Sequence, residues 1–398
     1  MARVLGLDIG KDFCVACLLE NKPTEPRQFY RETKFLEVKP SSKGISKLLE
    51  LRPDVVVMEP TGTNYQRLWG DRLAEFGVEV WLVHNDRLPS YRASLDLPDK
   101  DDAADALALG CYYFDYKDSP KRFVAVRDRT VARIREIVLR LGHYNRVKSP
   151  IVNRLRQDLA WQFPEFQNKR GDRNCFAEPP VFWRWLAGEA KYEKYDRVLG
   201  ETVGKGLQQE LRFAAKILCE YMRQEKLLEL ELQNLITSDR RFEPYLRVFQ
   251  KFGLGLRLSC LLLSQVYPLQ TYLGPDGKPE VKIYRGKNSG KPTKHYLSVR
   301  RFKKALGVAP VREQSGISKN STKKSGSALC RQGLWQLVFC RYEVKRARPK
   351  NEFGEKVGGL VDDLKAGKYP IQKLRSKVSA KIAELIFKEL VRELTIPN

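Results

Sequence analysis

Four aspartates, Asp99, Asp101, Asp102 and Asp105, fall within seven positions of a 398-residue chain whose formal net charge is +25. Carboxylates packed this closely raise one another's pKa unless a cation compensates them. Two further acids stand at the ends of apolar runs, Asp8 in GLDIG and Glu59 in VVVMEPTG. Carboxylate oxygens are the hard ligands that Mg2+ takes, and Mn2+ can substitute. Two such ions held about 3.5–4 Å apart would clamp the attacking and leaving oxygens of a phosphodiester. The set Asp8, Glu59, Asp102 and Asp105 therefore points to metal-assisted phosphoryl transfer. Asp102 and Asp105 are three apart and share a helical face. Asp12, Asp99 and Asp101 read as surface or as neighbours of the ligands, and acids at 99–102 also suit a helix start.

Positioning these acids requires an ordered set of elements. The runs 3–9, 12–20 and 28–38 read as an antiparallel meander of three strands. Residues 42–51 have helical spacing, and 54–60 is a short apolar run of the kind buried on both faces of a parallel sheet. A helix over 63–77 ending at Gly77, a strand over 78–84 and a helix opened by the aspartates complete the order β-β-β-α-β-α-β-α. That order suits an α/β RNase H-like fold, in which the first and fourth strands are neighbours. A Rossmann unit and an actin-like ATPase half share parts of it. The chain has no G-x-G-x-x-G and no G-x-x-x-x-G-K-[ST] to cradle a nucleotide.

Beyond residue 127 the pattern changes. The stretches 129–163 and 207–236 are long and amphipathic, as in an antiparallel helical pair or half of an intermolecular coiled coil. The sequence KFGLGLRLSCLLLSQV reads as a glycine turn into a helix. Residues 274–304 read as a basic loop or hairpin exposed to a partner, and 305–327 as a second loop-like tract. The segments 328–344 and 371–394 read as helices. The expected division is thus a catalytic domain over 1–118, a helical coiled-coil linker and oligomerisation region over 119–245, and a mainly α C-terminal domain over 246–398.

Charge follows the same division. Residues 1–118 carry 16 Lys and Arg against 20 Asp and Glu, and the remainder carries 57 against 28. An acidic unit joined to a strongly basic one suggests catalysis at one end and polyanion binding at the other. No apolar run is long enough for a membrane span and the N-terminus lacks a signal-peptide pattern, so a cytoplasmic protein without a membrane partner is expected. Eight cysteines are scattered, and only Cys14 and Cys17 form a C-x-x-C. On a strand these two point to opposite faces, which favours buried thiols over zinc.

The segments GLDIGKDF, MEPTGTNYQRL and DKDDAADALAL resemble, in order, the three acidic motifs of the DEDD-type, RuvC-like insertion-sequence transposases, the bridge-RNA-guided serine recombinases. FGLGLRLSCLLLSQV looks like that family's glycine turn, and RRFKKALGVAPVREQSGISK resembles its C-terminal motif. The resemblance implies a transposase/recombinase that exchanges DNA strands through a covalent phosphoserine intermediate. It implies that Asp8, Glu59, Asp102 and Asp105 bind Mg2+ and that Ser315 is the nucleophile. It also implies donor and target DNA, an element-encoded guide RNA, and a homodimer or homotetramer in which different protomers complete one site. The protein would act at the nucleoid. Arg300, Arg301, Lys303, Lys304, Lys319, Lys323 and Lys324 bracket Ser315 and are the candidate nucleic-acid contacts. The rival reading is a RuvC-like junction resolvase or nuclease that uses metal-activated water and leaves Ser315 passive.

Overall fold

A computed structural model describes residues 2–61, 65–98, 100–119, 122–124, 128–167, 178–286, 290–313 and 321–395, with only the backbone at 311–313 and 321–324. The chain forms two compact units, Met1–Arg127 and Asp128–Asn398.

The first unit is a mixed α/β layer structure. Its elements are β1 (Val4–Ile9), β2 (Cys14–Leu19), α1 (Pro26–Glu32), β3 (Leu36–Val38), α2 (Ser42–Glu50) and β4 (Val55–Met58). They continue with α3 (Tyr65–Glu75), β5 (Glu79–Val83), α4 (Leu88–Ser94), α5 (Asp102–Tyr116) and β6 (Phe123–Val124). The six strands are ordered β3-β2-β1-β4-β5-β6. The pairs β1–β4 and β4–β5 are parallel, and the others are antiparallel.

Alternation along the strands divides two cores. Val4, Val15, Cys17, Val55 and Val57 face one core with α4 and α5. Leu5, Leu7, Cys14, Val56 and Met58 face the other with Trp69 and Leu73 of α3 and Leu48 of α2. The period of two that sorts them is the strand's own. Cys14 and Cys17 indeed lie on opposite faces. Burial pushes both thiols up to about 12, which keeps them protonated.

The closest packing joins β1 to α5. A Cβ built on Gly6 would lie 1.9 Å from the backbone oxygen of Ala106 and 2.8 Å from the backbone nitrogen of Gly110. Only glycine allows strand and helix to approach this closely. The middle of α5 is correspondingly apolar all round, with every residue from Ala106 to Tyr113 buried.

The expected strand over 28–38 is shorter and preceded by a helix. Pro26 opens α1, whose φ it presets, and the consecutive Phe29 and Tyr30 pack against one core. Neighbouring residues face the same core on a helix turn more readily than on a strand, where they alternate. Helix α4 and strand β6 were not anticipated.

In the second unit α6 (Arg129–Gln162), α7 (Val181–Leu186), α8 (Glu193–Gly200) and α9 (Gln209–Ser238) come first. Then follow α10 (Glu243–Lys251), α11 (Leu256–Val266), β7 (Val281–Arg285), β8 (Pro292–Tyr296) and α12 (Leu297–Ala305). The chain ends with β9 (Pro310–Glu313), β10 (Ser321–Lys324), α13 (Ala328–Leu337), α14 (Glu352–Ala366) and α15 (Ile371–Thr395). Helices α6 and α9 run antiparallel: Arg133 holds Glu231 by two hydrogen bonds at 2.7 and 3.0 Å, and Lys148 pairs with Glu225.

This helical pair serves two cores. Leu155, Leu159, Leu211 and Leu218 pack with Phe182 and Trp185, while Ile134, Leu141, Leu232 and Ile236 join the core of α10 to α15. Pro150 lies on α6 between the two sets. The sequence reading separates 119–245 from 246–398; in the structure these stretches share that larger core and form one unit, and the division between units falls at 127/128. The glycine turn before α11 is present, with Gly253 at φ +71°. The tract 305–327, read as a loop, contains the antiparallel pair β9–β10. Among the described residues no helix is long and apolar enough to cross a membrane.

Candidate acidic site

Asp8 and Glu59 reach one place because their strands are parallel and in register. Leu7 of β1 pairs with Met58 of β4, so the next residue of each chain segment is an acid at the carboxyl edge of the sheet. Val4, Gly6 and Asp8 alternate onto the α5 side, as do Val55, Val57 and Glu59. Asp102 and Asp105 occupy the first turn of α5, and the Gly6 contact draws that helix onto β1. Asp101 caps the helix, its side chain accepting from the Ala104 N–H at 2.9 Å.

The acids feel one another. Burial, then the charges of Asp105 and Asp102, push the Asp8 carboxyl up to about 7 against the pull of the Ile9 N–H and Arg92. Burial, then Asp105 and Asp8, raise Glu59 to about 7 as well, again opposed by Arg92. Asp105 is raised by burial first and by Asp102 and Asp101, while its hydrogen bond from Arg92 lowers it. Asp102 is exposed. One oxygen of Glu59, Oε1, is buried with no hydrogen-bond partner among the described residues. A buried carboxylate oxygen left this way costs free energy that a cation would relieve.

Arg92 was not foreseen. It comes from α4, whose Pro89 lies in the first turn, and its guanidinium bonds the Asp105 carboxylate with the two side chains 12% and 19% exposed. Its sequence context, LPSYRAS, gives no sign of this, because the partner lies thirteen residues on, across a helix start.

Asp8, Glu59 and Asp105 thus lie within electrostatic reach, with Asp102 beside them. The donor chemistry suits a hard divalent cation: oxygen ligands only, two carboxyls whose pKa is pushed up to about 7 by burial and then by neighbouring acids, and one orphaned oxygen. As the side chains stand, no three of Asp, Glu, His or Cys among the described residues form a group that could hold one metal ion. Arg92 occupies the Asp105 oxygen instead.

The remaining candidates lie elsewhere. Ser315 and Lys319 fall outside the described residues, and Lys323 and Lys324 are described only as backbone in β10. On α12, Arg300 and Lys304 are exposed and Lys303 is half-buried, whereas Arg301 is bonded to Glu280. Asp12 is exposed, and Asp99 lies outside the described residues.

No protein-family model and no curated protein matches the chain. Fold and site together define a mixed α/β unit with an acidic cluster at one sheet edge, joined to a largely helical, basic unit.

Proposed function

We propose that the chain is a DNA transposase/recombinase of an insertion sequence, guided by a bridge RNA and working through a covalent phosphoserine intermediate. The observation that carries the reading is the convergence of Asp8, Glu59 and Asp105, from two adjacent parallel strands and the packed helix, with carboxyls pushed up first by burial and then by neighbouring acids. The strand order β3-β2-β1-β4-β5, with only β1, β4 and β5 parallel among these, supports an RNase H-like arrangement. The motif resemblance and the charge asymmetry support nucleic acid as the substrate.

Asp8, Glu59, Asp102 and Asp105 would hold Mg2+ or Mn2+, which supplies a Lewis acid for the scissile phosphate. The acids of this chain then have two tasks. Asp8 and Glu59 would have to be ionised to hold the cation, and Asp105 would offer it the oxygen that Arg92 now bonds. Ser315 would attack phosphorus through its hydroxyl oxygen, breaking the DNA P–O bond, and the proton the serine loses would pass to the leaving DNA oxygen, directly or through water. The resulting phosphoserine ester conserves the bond for religation.

The test is denaturing electrophoresis of the full chain with its element's DNA ends, its flanking RNA and Mg2+. A protein–DNA adduct is expected, absent in Ser315→Ala, and Asp102→Ala should abolish strand exchange. Exchange that persists in Ser315→Ala removes the serine role; cleavage without any adduct identifies the resolvase or nuclease reading instead.

A further inference from the structure

The hairpin β7–β8 stands apart from both cores of its unit. All five residues of β7 are exposed, as are four of five in β8. Val281, Ile283, Tyr284 and Tyr296 are 43%, 63%, 50% and 57% exposed, an unusual load of large apolar side chains for two short strands. A lone two-stranded hairpin in water is marginal. This one is fixed at its base. The Glu280 N–H donates to Ser298 Oγ at 2.8 Å, and the Leu297 N–H donates to the Glu280 carbonyl at 2.9 Å. Arg301 of α12 bonds the Glu280 carboxylate, and Ser298 is buried. A rigid base thus carries a blade with water on both faces.

The blade's charge has one sign. Its described residues, 281–286 and 290–296, hold Lys282, Arg285, Lys291 and Lys294 and no acid. The register places Ile283 beside Lys294 and Val281 beside Tyr296 on one face. Lys282 sits beside His295 on the other, where the rings of Tyr284 and His295 meet edge to face at 5.1 Å. Each face therefore mixes cations with flat or branched apolar groups.

We propose that the β7–β8 hairpin binds double-stranded DNA by lying in the major groove. The charge complementarity selects a polyanion, and the two-sided exposure selects an occupant that wraps the blade. A B-form major groove admits a two-stranded ribbon and presents thymine methyls to apolar side chains. The major groove of duplex RNA is too deep and narrow for side chains to read, so DNA is the partner. The inference rests on reading the chain as a DNA-acting protein, and it places duplex binding on residues other than the four acids.

Fluorescence anisotropy of the full chain, in EDTA, tests it with labelled duplex DNA, duplex RNA of the same sequence, and single strands. The triple variant Lys282→Ala/Arg285→Ala/Lys294→Ala should lose at least about tenfold in duplex-DNA affinity, and its log K against log [salt] slope should fall by about 3, near 0.9 per phosphate contact. A matched triple on exposed lysines of the first unit, Lys34→Ala/Lys43→Ala/Lys47→Ala, should leave the slope within about 1 of the parent. Circular dichroism guards against misfolding, and the exposed pair Ile283→Ala/Tyr284→Ala gives a second, charge-neutral loss on duplex DNA. An unchanged affinity and slope in both hairpin variants overturns the proposal. So does an equal loss on duplex RNA or on single strands. Strand exchange that fails in the parent while the hairpin variants lose DNA binding would sink the proposed function and leave this inference standing.

Discussion

The acidic site and the β7–β8 hairpin both concentrate charge of one sign, but they do so in opposite surroundings. At the sheet edge the carboxyls are half-buried, crowded and short of partners, and two of them are pushed to about 7. On the hairpin the cations are exposed, and Lys282 lies 3.6 Å from the Glu280 carboxylate at the base. The difference is one of desolvation. Like charges in water repel weakly and wait for a partner at little cost, whereas like charges out of water raise the free energy of the empty fold. A half-buried cluster therefore implies that something supplies the missing charge, and Arg92 is the part of that supply already within the chain.

The strongest way to break the comparison is to remove the packing that creates the buried half of it. In Gly6→Ala the added methyl meets the Ala106 carbonyl oxygen at 1.9 Å, a backbone atom that cannot move without shifting α5. A loss of about 3 kcal/mol in denaturant unfolding of the first unit is expected. Gly110→Ala, at the same crossing, meets the end of the Leu19 side chain at 2.8 Å, which can turn aside, and should cost less than half as much. Equal costs would show that strand and helix are not held by that contact.

A smaller effect should come from the carboxyls themselves. Their folded pKa values lie near 7, above the unfolded values of about 4. The folded state therefore binds more protons between these limits, and metal-free stability is full below about pH 4 and declines as pH rises through about 7. Asp8→Asn or Glu59→Gln removes that residue's own share of the decline and eases its neighbour's. Each variant should be more stable than the parent at pH 8 by on the order of 1–2 kcal/mol in EDTA, with the advantage gone near pH 4. Thermal unfolding across that range checks it. Mn2+ should raise the parent's midpoint at pH 8 and leave the variants' nearly unmoved; a parent that is equally stable at both pH values would show that the carboxyls do not crowd each other.

Much of the acidic site was legible because it follows from period and order. Alternation along β1 and β4 puts Asp8 and Glu59 on one face, and a spacing of three puts Asp102 and Asp105 on one helical side. What was not legible depends on contacts between residues far apart or on choices that local spacing leaves open. Arg92 acquires its role only when α4 is folded against α5. Phe29 and Tyr30 satisfy a strand pattern or a helix pattern, and burial against the α5 side decides for the helix. That residues on both sides of 245 share one core is hidden for a related reason. The amphipathic stripes of α6 and α9 are continuous, and nothing local says that their two ends serve different cores. The hairpin is legible in part: its charge and glycines mark an exposed segment, but its strands and the anchoring Glu280 emerge only from the pairing.

Arg300 and Arg301 give the finest test, because neighbours in sequence have been assigned opposite electrostatic work. Arg300 is exposed, whereas Arg301 is bonded to the Glu280 carboxylate with the two side chains 32% and 23% exposed. Arg300→Gln should leave stability within about 0.5 kcal/mol, since a surface cation contributes little to folding. It should lower the salt slope of duplex-DNA binding by about 1 if the cation meets a phosphate. Arg301→Gln removes the closer of two cations paired with a half-buried acid at the hairpin base, Lys282 standing at 3.6 Å. It should cost about 1 kcal/mol of stability, and weaken DNA binding by loosening the blade rather than by losing a phosphate contact, so the salt slope should stay near the parent's. Calorimetric midpoints and salt titrations of the two variants separate these roles. If both lower the slope equally, Arg301 faces DNA as Arg300 does, and the hairpin is not held by its salt bridge to α12.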